Sequence, residues 1–290
     1  MEEARALAAK VEAWLTQYPA FDGVMVDNSM KYSATEFDGG GNARSINPRT
    51  GTYWTDADVI NGCIGVLNAI ANAIGPNKIL LPNGMWNGST FFANNNYRQI
   101  IAAVSGINAL MSEGAWSQSY ASGNGRWVSE ADWLKSVNML IWVQNNFLNS
   151  QRYFISFMPA DTADADMPPN TTREQLVMFG YCSHLLGAGI VGHHNLYYGG
   201  SNELIKYPSV LSLMRTLRVT DIGNPSGDYY QIAGTSTYTR DFVGGKVLVN
   251  PSATSYQVSL SQTYKNMNGQ PVTSVTMAPH TGVLLFARAL

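Results

Sequence analysis

The sequence predicts an α/β fold over its larger N-terminal part and an all-β fold over the remainder. Short apolar runs alternate with helix-like segments up to residue 219, an order that is typical of βα units around a parallel sheet. Beyond residue 220 the helical period disappears, and β-type runs follow one another between Gly, Pro, Asn and Ser residues. We therefore expect two domains, residues 1–219 and residues 220–290, of which the second is a small antiparallel β-sandwich.

The first βα unit begins with a helix over residues 2–18, where apolar side chains recur at helical spacing behind an acidic first turn. Residues 21–28 follow as a strand that loses its apolar character at Asp27. A long glycine-rich loop comes next, and loops of that length usually have a function. A capping box, which starts at Thr55 and ends at Asp58, then opens a helix that stops at Gly75.

The same unit recurs along the chain, with a second capping box at Ser129 and Asp132. The further strands of the α/β part are predicted over residues 78–82, 107–112, 153–158 and 189–193. The further helices are predicted over residues 97–104, 129–147 and 171–186. The β-type runs of the C-terminal part cover residues 229–233, 237–243, 246–249, 256–260, 272–277 and 282–287.

Five parallel strands are fewer than a closed barrel needs, since a (β/α)8 barrel has eight strands and about 250 residues. We therefore expect a partial (β/α)8, TIM-type barrel. Three explanations stay open: a fragment that lacks the first three units, an open five-stranded sheet, or sheet edges that a second copy covers. An uncovered parallel edge invites self-association, which favours a homodimer.

The composition favours one class of partner. Of the 290 residues, 45% are apolar but only 13% are charged, against a usual ~25%. The polar surface must then consist mainly of Asn, Ser, Thr, Gln, Tyr and Gly, which suits a secreted protein that acts on carbohydrate. The net charge is -2, and no run of Lys and Arg could neutralise phosphates, so we expect no nucleic-acid partner.

Three further features of the sequence concern the location of the protein and the state of its cysteines. No run of about 18 apolar residues occurs, so we expect no membrane-spanning segment. The first residues lack the basic start and apolar core of a signal peptide, and an extracellular location is expected from composition alone. Cys63 and Cys182 fall in separate helical stretches and could pair only if those helices adjoin, so buried free thiols are the simpler interpretation. We expect no cofactor.

Two strands of the α/β part end at a carboxylate, Asp27 and Glu113. Barrel enzymes carry their chemistry at the carboxyl ends of parallel strands. Glycoside cleavage needs one carboxylate that attacks or stabilises and one that donates a proton. Asp27 lies beside the polar Asn28 and could stay ionised, whereas the apolar neighbours Met111 and Trp116 favour the protonated form of Glu113. In the structural alternative, Asp27 caps the next segment and Glu113 forms a salt bridge.

Other polar and aromatic residues follow the predicted strands or helix entries. Aromatic rings there commonly stack on sugar rings, although a single tryptophan is more often packing. The candidate substrate-binding residues are Asn28, Trp54, Asn83, Trp86, Trp116, His193 and His194, with Trp127 as a further aromatic residue on the same rim. The chain has only four histidines and no His-x-x-x-His pair, so we expect no metal site at His193 and His194.

Residues 21–28, F-D-G-V-M-V-D-N, resemble the D-G-V-F-L-D-N signature of the hypothetical glycoside hydrolase-like families. Those families look like distant relatives of the α-galactosidase group of retaining glycosidases. The resemblance covers nearly the whole chain, which corresponds to strands four to eight of the family's barrel and the β part that follows them. The first three strands of the family's barrel have no counterpart in this chain. It implies an aspartate nucleophile at the end of strand four, here Asp27, and an acid/base carboxylate at the end of strand six, here Glu113. We expect a glycoside hydrolase; the alternative is a non-catalytic carbohydrate-binding or structural protein on an incomplete barrel.

Overall fold

The computed structural model describes residues 2–30, 34, 46–118, 125–158, 166–190, 192–197 and 206–287. The elements of the α/β part, in chain order, are α1 (Glu2–Gln17), β1 (Gly23–Val26), α2 (Asp56–Ile74), β2 (Ile79–Pro82), α3 (Gly88–Ala93), α4 (Asn96–Ala103), β3 (Ala109–Ser112), β4 (Ser117–Gln118), β5 (Arg126–Trp127), α5 (Glu130–Asn146), β6 (Tyr153–Phe157), α6 (Arg173–Gly187), β7 (His193–Tyr197) and α7 (Pro208–Val219). Strands and helices alternate as the sequence predicts, which confirms the α/β class.

The parallel strands form two sheets that lie side by side. One sheet pairs β1 with β2, and the other has the order β3-β6-β7, in parallel register throughout. Between the sheets, the backbone of Asn108 donates to Leu80 and a parallel bridge joins Met85 to Ser112. The carboxyl ends of β1, β2 and β3 therefore meet at one edge of the assembly.

Two helices begin where the sequence predicts capping boxes. The Thr55 hydroxyl accepts a hydrogen bond from the Asp58 N–H at 3.2 Å, and Asp58 accepts in return from the Thr55 N–H at 3.0 Å. At the start of α5, Ser129 accepts from the Asp132 N–H at 3.1 Å. These bonds satisfy N–H groups that the first turn of a helix leaves without partners.

Helix α2 is long and apolar enough to cross a membrane by length and composition alone, so the expectation of no membrane-spanning segment stays a prediction. Asn68 and Asn72 interrupt its apolar run, which hides this feature from a search for unbroken apolar segments. In this fold α2 packs against α1 and β2, and its Leu67 and Ile70 side chains are fully buried. Cys63 on this helix and Cys182 on α6 form no disulfide bond with each other, and Cys182 is buried whereas Cys63 is partly buried.

The C-terminal part is one antiparallel sheet with the order β12-β11-β13-β10-β9-β8. Its strands are β8 (Tyr230–Gln231), β9 (Tyr238–Phe242), β10 (Gly245–Asn250), β11 (Tyr256–Lys265), β12 (Pro271–Met277) and β13 (Thr281–Phe286). The sheet curls around Leu248, Val258 and Leu285, with β13 joined to β10 along its length and to β11 at one residue pair. Because β13 links both halves, the described strands form a single sheet, and the two-sheet sandwich stays a prediction.

The two parts of the chain share one hydrophobic core. Helix α6 packs against β10 and β13, and the cluster that contains Phe179 and Cys182 also contains Val247 and Leu284. The buried Arg240 donates to the carbonyl groups at the end of α6. Helix α7 ends at Val219, next to the predicted domain boundary, and the division into two domains at that point stays a prediction.

Candidate active site

Three polar side chains follow three neighbouring parallel strands. Asp27 comes directly after β1, Asn83 directly after β2 and Glu113 directly after β3. The register places Val26 opposite Pro82 and joins Met85 to Ser112, so the three strand ends lie side by side. The folded chain thus brings together three of the residues that the sequence marks as candidates.

One amide group contacts both carboxylates. The Asn83 Nδ2 atom donates to Asp27 Oδ1 at 2.8 Å and to Glu113 Oε1 at 2.9 Å. The two carboxylate oxygens therefore lie no more than about 5.7 Å apart, since this is the sum of the two distances. The Gly84 N–H donates to Asn83 Oδ1 at 2.7 Å, which identifies the other amide atom as the nitrogen. Asp27 and Glu113 thus form a pair that one nitrogen joins.

The backbone around Asn83 is held on both sides. Its N–H donates to Val26 O at 2.9 Å, and its carbonyl accepts from the N–H groups of Ser29 and Met30. Gly84 has φ 128°, and a Cβ there would collide with the Met30 carbonyl. Glycine is therefore required at position 84, where the chain passes close to the loop after β1.

Asp27 accepts hydrogen bonds on both carboxylate oxygens while its side chain is exposed. Besides Asn83, the Asn28 N–H donates to Oδ1 at 2.9 Å and Asn28 Nδ2 donates to Oδ2 at 3.0 Å. Asn28 adopts a left-handed conformation, φ 52°, which asparagine tolerates better than most residues. The three N–H donors match an ionised carboxylate, which only accepts hydrogen bonds.

Glu113 is half-buried, and Trp86 lies next to it. The Glu113 N–H donates to Met85 O at 3.3 Å, and the Gly114 N–H donates to Trp86 O at 2.8 Å. The Trp86 ring covers Gly114 so closely that a Cβ there would lie 2.5 Å from Cε2. The half-exposed ring thus lines the site beside Glu113, where a sugar could stack on it.

A cavity of about 350 Å³ lies on the other side of the pair. Asp27, Asn28 and Trp54 line it together with apolar side chains of α1 and α2. Trp54 is half-exposed, so the predicted aromatic and amide residues next to Asp27 do lie at one cavity. Most of the predicted glycine-rich loop after Asn28, residues 31–33 and 35–45, lies outside the described residues.

The predicted stacking role does not fit Trp116, because its side chain is fully buried in the core. The chain turns back after Glu113 into the β4–β5 hairpin, and this turn carries the indole inward. Trp127 packs between two other rings, with Phe179 at 4.8 Å and His280 at 4.9 Å. These two tryptophans belong to the packing of the fold.

The predicted position of His193 and His194 is wrong. The strand begins at His193 and does not end there, so both histidines lie at the amino edge of the sheet, opposite the carboxylates. His193 stacks on Tyr153 with ring centroids 4.5 Å apart. His194 Nε2 contacts Gln144 Oε1 at 2.5 Å, toward the helices. The two histidines therefore do not share the strand edge of Asp27 and Glu113, and a role for them in substrate binding stays a prediction.

Sequence reasoning placed Asn83 in the site but missed its contact with both acids. The available signal was an Asn-Gly pair directly after an apolar strand, at the same edge as two strand-end carboxylates. Among the described residues, no group of three His, Cys, Asp or Glu side chains could hold a metal ion.

The fold and the paired acids define an α/β protein with a carboxylate site at the carboxyl edge of its parallel strands. A family model described as "Hypothetical glycosyl hydrolase family 15" matches residues 6–246, so the chain belongs to this family. The resemblance to hypothetical glycoside hydrolase families is thereby confirmed, while the relationship to the α-galactosidase group stays a prediction. Comparison with the curated proteins finds no match.

Several solved structures of carbohydrate-acting enzymes are similar to the chain at 12% identity. A pullulanase from Anoxybacillus sp. LM18-11 aligns with 98% of this chain and 45% of its own, with a TM-score of 0.50. Isomalto-dextranase from Arthrobacter globiformis T6, complexed with panose, aligns with 96% and 47%, with a TM-score of 0.44. A debranching enzyme from Nostoc punctiforme aligns with 99% and 62%, with a TM-score of 0.43. The chain thus spans less than two thirds of each of these proteins.

Proposed function

We propose that this protein is a glycoside hydrolase in which Asp27 and Glu113 carry the reaction. The observation that supports this most is the pair of contacts from Asn83 Nδ2, at 2.8 Å to Asp27 and 2.9 Å to Glu113. Two carboxylates held near each other at the carboxyl edge of parallel strands can attack an anomeric carbon and protonate the leaving oxygen. Membership of a glycosyl hydrolase family agrees with this chemistry.

The proposed reaction has two steps. In the first, an oxygen of Asp27 bonds to the anomeric carbon, the bond to the leaving oxygen breaks, and Glu113 gives its proton to that oxygen. In the second, ionised Glu113 takes a proton from water, the water oxygen bonds to the anomeric carbon, and the ester bond to Asp27 breaks. Both carboxyl groups return to their first state.

The spacing favours retention of the anomeric configuration. Retaining enzymes hold their carboxyl groups ~5–5.5 Å apart, and inverting enzymes ~6.5–9.5 Å apart to leave room for water. The limit of about 5.7 Å between Asp27 Oδ1 and Glu113 Oε1 falls near the first range. The substrate is proposed to be an oligo- or polysaccharide that contacts Trp86 beside Glu113 and Trp54 beside Asp27.

We further propose that the five parallel strands form part of a (β/α)8 barrel. Their neighbour order follows the chain order, and α-helices lie between them in sequence. Among the described residues β1 pairs only with β2, and Met25 on this strand is 53% exposed. A second copy of the chain that covers this edge would form the expected homodimer. An extracellular location is proposed from the low content of charged residues.

The open edge of β1 also favours the alternative function, a non-catalytic carbohydrate-binding protein. Asp27 lies at the end of this edge strand and is exposed, so a substrate between the two acids would be open to water on that side. Binding to a glycan panel without cleavage of any member would support this alternative and contradict the hydrolase.

The decisive experiment measures hydrolysis of aryl α- and β-glycosides and of polysaccharides by the purified chain, with NMR of the first-formed anomer. Glu113→Gln should lower kcat by about 10²–10⁴, the usual contribution of a general acid or base. Asp27→Asn should lower kcat at least as much, because it removes the nucleophile. Asp22→Asn is the matched control, because Asp22 is an exposed carboxylate at the other end of β1. Full turnover by Asp27→Asn or Glu113→Gln would reject the assignment.

A further inference from the structure

We propose that Asn83 is the positioning residue of this site, a single amide that sets the spacing of Asp27 and Glu113 and decides which of their oxygens react. The catalytic consequence rests on the proposed function, whereas the contact between the three side chains does not. The sequence suggests a different role for Asn83, direct binding of substrate hydroxyl groups.

The hydrogen-bonding groups of the Asn83 side chain are already used. An amide nitrogen has two hydrogens, and here one goes to Asp27 and the other to Glu113. Its oxygen accepts from the Gly84 N–H, and the residue is only 3% exposed. A substrate hydroxyl could gain a hydrogen from Asn83 only if one carboxylate were released. The geometry thus assigns Asn83 to the acids.

Asn83 is itself fixed by the backbone, which is what a positioning residue needs. Its N–H donates to Val26 and its carbonyl accepts from Ser29 and Met30, so the backbone of Asn83 is tied to β1 and the loop after it. Its side chain then reaches Glu113 at the end of β3. A shift of any one of the three strand ends would break these bonds.

The contacts also distinguish the two oxygens of each acid. A protonated carboxyl group accepts hydrogen bonds more readily on its carbonyl oxygen than on its hydroxyl oxygen, so we assign the acidic proton of Glu113 to Oε2, the oxygen that Asn83 does not contact. On Asp27, Oδ1 accepts from Asn83 and from the Asn28 N–H, while among the described residues Oδ2 accepts only from Asn28 Nδ2. We therefore assign the nucleophile to Oδ2.

The kinetic test compares Asn83→Leu with Asn108→Leu. Asn108 is a matched control, because its side chain also joins β2 and β3 but at the opposite edge, with bonds to the Leu80 N–H and the Lys78 carbonyl. Asn83→Leu should lower kcat at least 100-fold while KM changes less than about threefold, since binding does not use this amide. Asn108→Leu should leave both constants near the wild-type values. An Asn83→Leu variant within fivefold of wild-type kcat would overturn the proposal.

A second test needs no activity. Asn83→Asp puts a third carboxylate where the amide was, so at pH 8 it should lower the Tm by roughly 5 °C or more. Adding Asp27→Asn restores one amide and one carboxylate in contact, and at least half of the lost Tm should return. If the Tm losses of the Asn83→Asp and Asp27→Asn single variants simply add in the double variant, the positioning role is overturned. Recovery of Tm in a chain whose wild type cleaves no glycoside would instead reject the proposed function and keep the contact.

Discussion

The two edges of the parallel strands use the same residue type in different ways. At the carboxyl edge, the amide of Asn83 donates to two carboxylates. At the amino edge, the amide of Asn108 donates to the Lys78 carbonyl and accepts from the Leu80 N–H, so it completes backbone pairing. The amide at the carboxyl edge thus joins two groups that can react, whereas the amide at the amino edge completes the hydrogen bonds between two sheets.

The histidines support the same distinction. His193 and His194 lie at the amino edge, where one stacks on Tyr153 and the other contacts Gln144 of α5. The difference agrees with the general behaviour of βα folds, in which chemistry occupies the carboxyl edge and stability the amino edge. A reactive residue type alone therefore does not identify a site. The end of the strand at which the residue lies must also be known.

The largest effect is expected at Gly84, at the carboxyl edge. Gly84→Ala puts a Cβ against the Met30 carbonyl at φ 128°, so we expect the free energy of unfolding to fall by about 3 kcal/mol and activity to fall with it. Gly269→Ala is the control, because its φ of 74° is also positive but nothing lies within 4 Å of the added Cβ. It should cost only about 1 kcal/mol by urea unfolding. Equal losses for both variants would contradict the close packing at Gly84.

A pH-dependent effect is expected behind the sheet. Burial, and secondly the charge of His194, lowers the pKa of His184 to about 3, and its Nδ1 contacts Ser156 Oγ at 2.9 Å. Because the unfolded side chain titrates near 6.5, this neutral histidine stabilises the fold fully above pH 6.5 and loses that contribution as the pH falls toward 3. His184→Gln should therefore move the midpoint of acid unfolding to lower pH, by about half a unit. An unchanged midpoint would show that other groups govern acid unfolding.

The smallest effect is expected at His193. His193→Ala removes a stacked ring at the amino edge, so it should cost about 1 kcal/mol or less in stability and leave kcat within twofold of wild type. Thermal unfolding and the same glycoside assay measure both quantities. A large loss of kcat in His193→Ala would contradict the distinction between the two edges.

The sequence could predict the convergence of Asp27, Asn83 and Glu113 because each directly follows an apolar run, and parallel strands end at a common edge. It could not predict their hydrogen bonds, which depend on the strand order and on the turn at Gly84. The strand predicted over residues 189–193 was misplaced for a similar reason, since β7 covers His193–Tyr197. The apolar residues before His193 resemble a strand, whereas the polar strand that follows is stabilised by side chains on two distant helices, Gln144 and His184.

Two further differences come from contacts between distant segments. Trp116 follows a strand-end acid, as a sugar-stacking residue would, but the hairpin after it directs the ring into the core. Helix α7 was not predicted, although a proline at its first position and apolar residues at helical spacing were visible in the sequence. In the C-terminal part, all six strands were predicted, but the pairing of β13 with both β10 and β11 was not.

The contact between α6 and the C-terminal sheet has a consequence for how the protein unfolds. Arg240 reaches from β9 to the carbonyls of Leu185 and Leu186, and Gln175 donates to the carbonyls of Pro279 and His280. Because the helix and the sheet bury their apolar faces against each other, neither can lose structure without exposing the other. Unfolding of the C-terminal strands should therefore also unfold α6, the helix that supports β6 and β7, in a single cooperative transition.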